Sequence, residues 1–227
     1  MTVRDAATFN PKPSMDRLAE GGLSGVNRAF PGVSNATLYR IASASGVGSA
    51  FVLLVNAAKR SGLTATSDLT QILAPLAEIF ALGLVVGLFL AVGRRAGLFG
   101  TIAFILNFVA LASLEGVEVV INLVFSKLPP TTIIELQSGP LGLVLVASSL
   151  LFLFGTVAFV ISLAIGTIVP RIPLALYLGS AMPIAFRAFV PELALDLGLA
   201  ALAAALVWLS VWLWSHAGTF ATSTPRG

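Results

Sequence analysis

Residues 97–126 read GLFGTIAFILNFVALASLEGVEVVINLVFS, thirty positions whose only charges are Glu115 and Glu118. The apolar side chains run on without the period-two alternation of a lipid-facing strand, so the stretch reads as a helix. At 1.5 Å per residue it would be about 45 Å long, more than the ~30 Å of a bilayer core, so it should tilt or protrude.

Five further apolar runs accompany it. With residues 97–126 they give six predicted spans, at about 38–58, 69–92, 97–126, 140–169, 172–190 and 193–214. Most end at charge or proline: Lys59-Arg60, Arg94-Arg95, Lys127 with Pro129-Pro130, and Pro170-Arg171. The run at 172–190 holds Pro173, Pro183 and Arg187, which points to a kinked or partly re-entrant segment. The expected fold is all-α, a polytopic transmembrane bundle of six spans over residues 38–216, preceded by a polar arm (1–37) and followed by a short tail (217–227).

Composition fits. The chain of 227 residues is 57% hydrophobic and 10% charged, against roughly 25% charged in a soluble domain. Cysteine is absent and His216 is the single histidine. That excludes disulfides, thiolate chemistry, Cys-ligated zinc and bis-His haem within the chain, and no cofactor or metal is expected. The excess of 13 basic over 10 acidic residues is spread through short loops, which fits the positive-inside bias and not nucleic-acid binding. Nine Lys and Arg fall on the side of the arm (Arg4, Lys12, Arg17, Arg28, Arg40, Arg94, Arg95, Arg171, Arg226) and four on the other (Lys59, Arg60, Lys127, Arg187). Both termini are therefore expected in the cytoplasm, and the C-terminal Trp208, Trp212 and Trp214 in an interfacial belt.

The arm lacks a signal-like apolar core, so it is expected to remain attached. Its Met15, Leu18, Val26 and Phe30 could lie on a membrane surface as a short helix, although a disordered arm is the simpler expectation. Ile133-Ile134 is a second segment suited to the surface. Small residues recur at helix-contact spacing: Ala42, Gly46 and Ala50 in the first span, and Gly83, Gly87 and Ala91 in the second. Such faces permit close packing in lipid, within a bundle, between copies of the chain, or in a larger membrane complex.

The polar residues of the third span carry the functional signal. With Asn107 at zero, Glu115 falls at about 80°, Glu118 at about 20° and Asn122 at about 60°, one face of a helix. That face should turn inward. Glu78 lies ~14 Å from the nearer end of its span, Glu115 ~16 Å, Glu118 ~12 Å and Arg187 ~5 Å, with Asp196 near the start of the last span. All these ends share one side of the membrane. Charge at this depth costs ~2.5–3.5 kcal/mol on insertion scales, so it is seldom kept without a partner or a task. Glu115 and Glu118, three apart, would repel, so a proton or a cation should compensate. Arg187 reads as the one cation at that depth, paired with Glu118 or Asp196, leaving Glu115 or Glu78 to exchange a proton.

The candidate site is thus Glu78, Glu115, Glu118, Arg187, Asn107, Asn122 and Asp196, an outward-facing polar cavity for a proton, a cation or a polar headgroup. Buried polar side chains that merely hold a bundle together are the plainer reading of the same residues. Ser45, Ser49, Ser148 and Ser149 have no nearby base, which argues against nucleophilic catalysis. Two functions follow: a transport-like or proton- and cation-handling protein, or an accessory subunit of a membrane complex. An intramembrane enzyme acting on lipid ranks third.

The segments Val169-Pro170-Arg171-Ile172-Pro173, Leu176-Tyr177-Leu178-Gly179 and Leu38-Tyr39-Arg40-Ile41-Ala42 resemble those of small six-span bacterial integral membrane proteins. The resemblance implies architecture, without an activity; the richness in Ala, Leu, Val and Gly suits a bacterium, and a place in the inner (plasma) membrane is expected.

Overall fold

A computed structural model describes residues 34–166, 168–187 and 189–222. The arm and its surface helix lie outside them. The described residues form eight α-helices: α1 (Asn35–Arg60), α2 (Asp68–Leu73), α3 (Leu76–Ala91), α4 (Gly97–Val119), α5 (Pro130–Ser138), α6 (Pro140–Ile165), α7 (Arg171–Ala185) and α8 (Glu192–Thr222). No strand occurs among them.

Local chemistry sets the boundaries. Gly62, at φ 76°, follows the end of α1 in the left-handed region that glycine enters without cost. Ser67 caps α2 through a reciprocal pair of bonds with Thr70. The predicted second span divides at Ala74–Pro75, because Pro75 has no N–H to give the preceding turn. Gly97, at φ 59°, turns the chain into α4. Beyond Val119 the helix widens into a π-turn at Val120–Val124 and tightens into a 3-10 turn at Phe125–Lys127. Pro130 and Pro140 open α5 and α6 from the first turn, where a missing N–H does no harm.

Five segments have the length and apolarity to cross a bilayer: Asn35–Arg60, Asp68–Ala91, Gly97–Lys127, Pro140–Ile165 and Glu192–Phe220. The fifth predicted span, 172–190, differs in kind. Helix α7 has 15 residues, about 22 Å against ~30 Å of hydrocarbon. It stops at Ala185, two residues past Pro183. Helix α6 ends at Ile165, short of the predicted residue 169, and α8 runs to Thr222, through what read as a tail.

The helices close into a ring. Each packs on the next in the order α1, α3, α4, α6, α7, α8 and back to α1. Tyr39 of α1 meets Phe220 of α8 at 5.7 Å between ring centres, while Arg60 of α1 pairs with Glu192 of α8. The first and last helices are therefore antiparallel. Phe152, Phe159, Leu84, Leu163, Leu209 and Leu213 are fully buried between helices. Outward-facing Leu98, Leu143, Phe51 and Phe154 are exposed by 62–76%, a girdle suited to acyl chains and not to water.

At the end of the ring where α1 begins, small residues close the bundle. Gly46 faces Leu84 and Ser210, Gly87 faces Ala42 and Leu213, and Gly83 faces Ser45. The small-residue stripes thus meet inside the chain. Ser45 Oγ donates to the Phe80 carbonyl and Ser49 Oγ to the Ala77 carbonyl, each at 2.7 Å. Trp212 is buried against His216 and Phe220, which corrects its reading as a belt residue. Trp208 and Trp214 are exposed, and Arg40 sits over the Trp214 ring. On α5, Ile134 is exposed.

Candidate ligand-binding cavity

At the opposite end the same ring opens around a cavity of about 380 Å³. Every ring helix contributes to its wall, through residues such as Leu53, Glu78, Glu118, Phe152, Tyr177 and Leu202. On α1 the lining runs from Ser49 to Arg60, on α4 and the π-turn that continues it from Leu111 to Asn122, and on α8 from Leu195 to Leu206. Each interval is about 16 Å along its helix. Three helices thus agree on a recess about half as deep as a bilayer core.

Its outer part is polar. Arg187 Nη1 donates to Glu118 Oε1 at 2.7 Å. Asn122 Nδ2 donates to Glu118 Oε2 at 2.8 Å and also to the Glu118 carbonyl. Lys59 Nζ donates to Asn122 Oδ1 at 2.7 Å and to Gln71 Oε1 at 2.9 Å. One chain of bonds therefore ties the end of α7 to α4, α1 and α2. Both Glu118 oxygens are occupied, one of them by a guanidinium. Its inner part is apolar, with Leu111, Phe152, Leu199, Leu202 and Leu206 on the wall.

Glu78 stands apart from this network. It is 8% exposed and lines the cavity, and its Oε2 has no hydrogen-bond partner among the described residues. Glu115, Glu118 and Arg187 lie within electrostatic range of it.

The predicted site residues are distributed as follows. Glu78, Glu118, Asn122 and Arg187 come together in the cavity wall, with Arg187 on Glu118 as expected. Glu115 is half-buried and does not line the cavity. At about 80° it lay at the edge of the predicted face. Asn107 is fully buried behind the wall, where its Oδ1 accepts from Thr156 Oγ1 at 3.4 Å beside Tyr177. Asp196 pairs with Arg60 at 3.5 Å and not with Arg187.

Arg187 is also not the sole cation. Lys59 and Arg60 both line the cavity, because α1 continues through Arg60 and keeps them in its last turn. The missed signal was Asn56 and Lys59, three apart and hence on one helix face. Among the described residues no group of three or more His, Asp or Glu side chains is placed to hold a metal ion.

A second cleft of about 570 Å³ opens beside the first, lined by Phe125, Leu145, Val146, Phe186 and Phe189. It shares Arg60, Ile121, Arg187 and Leu195 with the central cavity.

Comparison with protein-family models, with curated proteins and with solved structures finds no match to this chain. No resemblance to a family is therefore shown, and the class rests on the architecture: an all-helical protein with five helices long and apolar enough for a bilayer.

Proposed function

We propose that the chain is a multi-pass protein of the plasma membrane that admits a small ligand into the central cavity, in a transport-like or proton- and cation-handling role. One observation carries this reading: six helices part around a central recess, polar at its mouth and apolar at its floor. Pockets of this size and make-up take small organic ligands. A bundle that needed only internal glue would have no use for the empty volume. In this reading α7 completes the ring as a sixth, shorter crossing, both termini lie in the cytoplasm, and the mouth faces outward.

The absence of cysteine supplies a test in which each variant carries one thiol. Asn56→Cys at the mouth is expected to react with a charged, membrane-impermeant maleimide added outside intact cells. Leu202→Cys, deeper in the recess, should react at least tenfold more slowly, and Leu143→Cys on the outer surface of α6 should not react. Equal labelling at positions 202 and 143 would remove the recess. Labelling of position 56 only in inside-out vesicles would reverse the orientation.

A further inference from the structure

Charge pairing within the recess leaves one group over on the anionic side. Glu118 is occupied by Arg187 and Asn122. Arg60 is engaged by Glu192 and Asp196. Lys59 is bonded to two neutral amide oxygens. Glu78, more than nine-tenths buried, lines the cavity and keeps a carboxyl oxygen without a hydrogen-bond partner among the described residues. Glu118 and Glu115 nearby add negative potential at its carboxylate, and Arg187, itself paired with Glu118, offsets part of it.

An ionised carboxylate in such a place needs a cation. An inorganic ion would require several oxygen ligands. Among the described residues no cluster of three carboxylate or imidazole side chains exists to supply them. The remaining walls are apolar or aromatic: Leu111, Leu114, Phe152, Tyr177 and Leu202. Such walls suit a ligand that brings its own hydrocarbon, and aromatic rings add attraction for a soft cation.

We propose that the ligand is a monovalent organic cation with an apolar body, its charged nitrogen at the Glu78 carboxylate and its body against the leucines and Phe152. The proton and the ligand then compete for one carboxylate, so binding of the cation releases a proton whenever Glu78 holds one. This assignment rests on the ligand-binding reading of the recess.

The test uses the full chain in lipid nanodiscs, with benzyltrimethylammonium as probe and neopentylbenzene as its uncharged isostere. Saturable binding of the cation is expected, at least tenfold tighter than that of the isostere. Glu78→Gln should reduce cation affinity tenfold or more and leave the isostere within threefold, while Glu135→Gln on the surface of α5 changes neither. Should Glu78→Gln fail to fold, the unmodified protein still decides. A hydrophobic carbodiimide should label Glu78, as read by mass spectrometry, and benzyltrimethylammonium should slow that labelling at least fivefold where the isostere does not. Cation affinity unchanged in Glu78→Gln, or labelling at Glu78 indifferent to the cation, overturns the assignment. Equal binding of cation and isostere would also overturn it and leave the cavity reading standing. Binding of neither probe would defeat both.

Discussion

Where α1 begins, Gly46, Gly83 and Gly87 let α1, α3 and α8 close on one another. Where α1 ends, the ring opens into the recess, and the long polar side chains of Lys59, Asn122, Glu118 and Arg187 reach across it. In lipid there is no water to expel from between helices, so close backbone approach and directed bonds decide where they join. The two ends show both means: small residues seal one, and a carboxylate–guanidinium–amide chain spans the other without filling it.

Substitutions that exchange these properties test the contrast. The largest effect is expected from Gly46→Val, whose new side chain meets Ser210 and Leu84. A loss of about 3 kcal/mol should appear in a detergent denaturation series. Asn56→Leu, at the open end, is expected to cost less than ~1 kcal/mol, since the two side chains have the same branched shape and position 56 lines free volume. Equal losses would erase the distinction between a sealed and an open end.

Breaking the bridge comes next. Arg187 and Glu118 side chains are 23% and 12% exposed, between the surface and fully buried cases, so Arg187→Ala should cost about 2 kcal/mol. Most of that loss is the stranding of Glu118. Adding Glu118→Gln should therefore recover more than half of it, and a double-mutant cycle showing simple additivity would remove the pair from the account.

Thr156→Val, behind the floor, breaks the bond to Asn107 and should cost about 0.6 kcal/mol, the average for such bonds in membranes. The smallest effect belongs to Asp68→Asn. Its bridge to Lys127 joins side chains 83% and 67% exposed, and a change below ~0.5 kcal/mol is expected in the same denaturation series.

The unbroken apolar runs made the long helices legible in the sequence, since length and hydropathy alone decide what can cross a bilayer. The stripe on 97–126 also pointed inward at Glu118 and Asn122, because three- and four-residue spacing survives any packing arrangement. Other features needed the fold. Lys59 read as a loop cation, yet its flexible stem carries the ammonium back over Asn122. Asp196 lay at a plausible depth for Arg187, but the antiparallel meeting of α1 and α8 gives it Arg60. Helix α7 had enough apolar residues for a full span. Proline near both of its ends, which in the sequence already pointed to a kinked or partly re-entrant segment, goes with its early stop at Ala185.

The depth of the recess has an electrical consequence. In the proposed membrane setting, a recess about half as deep as the hydrocarbon would leave the glycine-packed half as insulator. If water fills the well, the membrane potential drops across that plug of Gly46, Leu84, Ser210 and Leu213. Each elementary charge carried through it would then exchange about 2.3 kcal/mol with a field of 100 mV, and one that stops at Glu78 almost none.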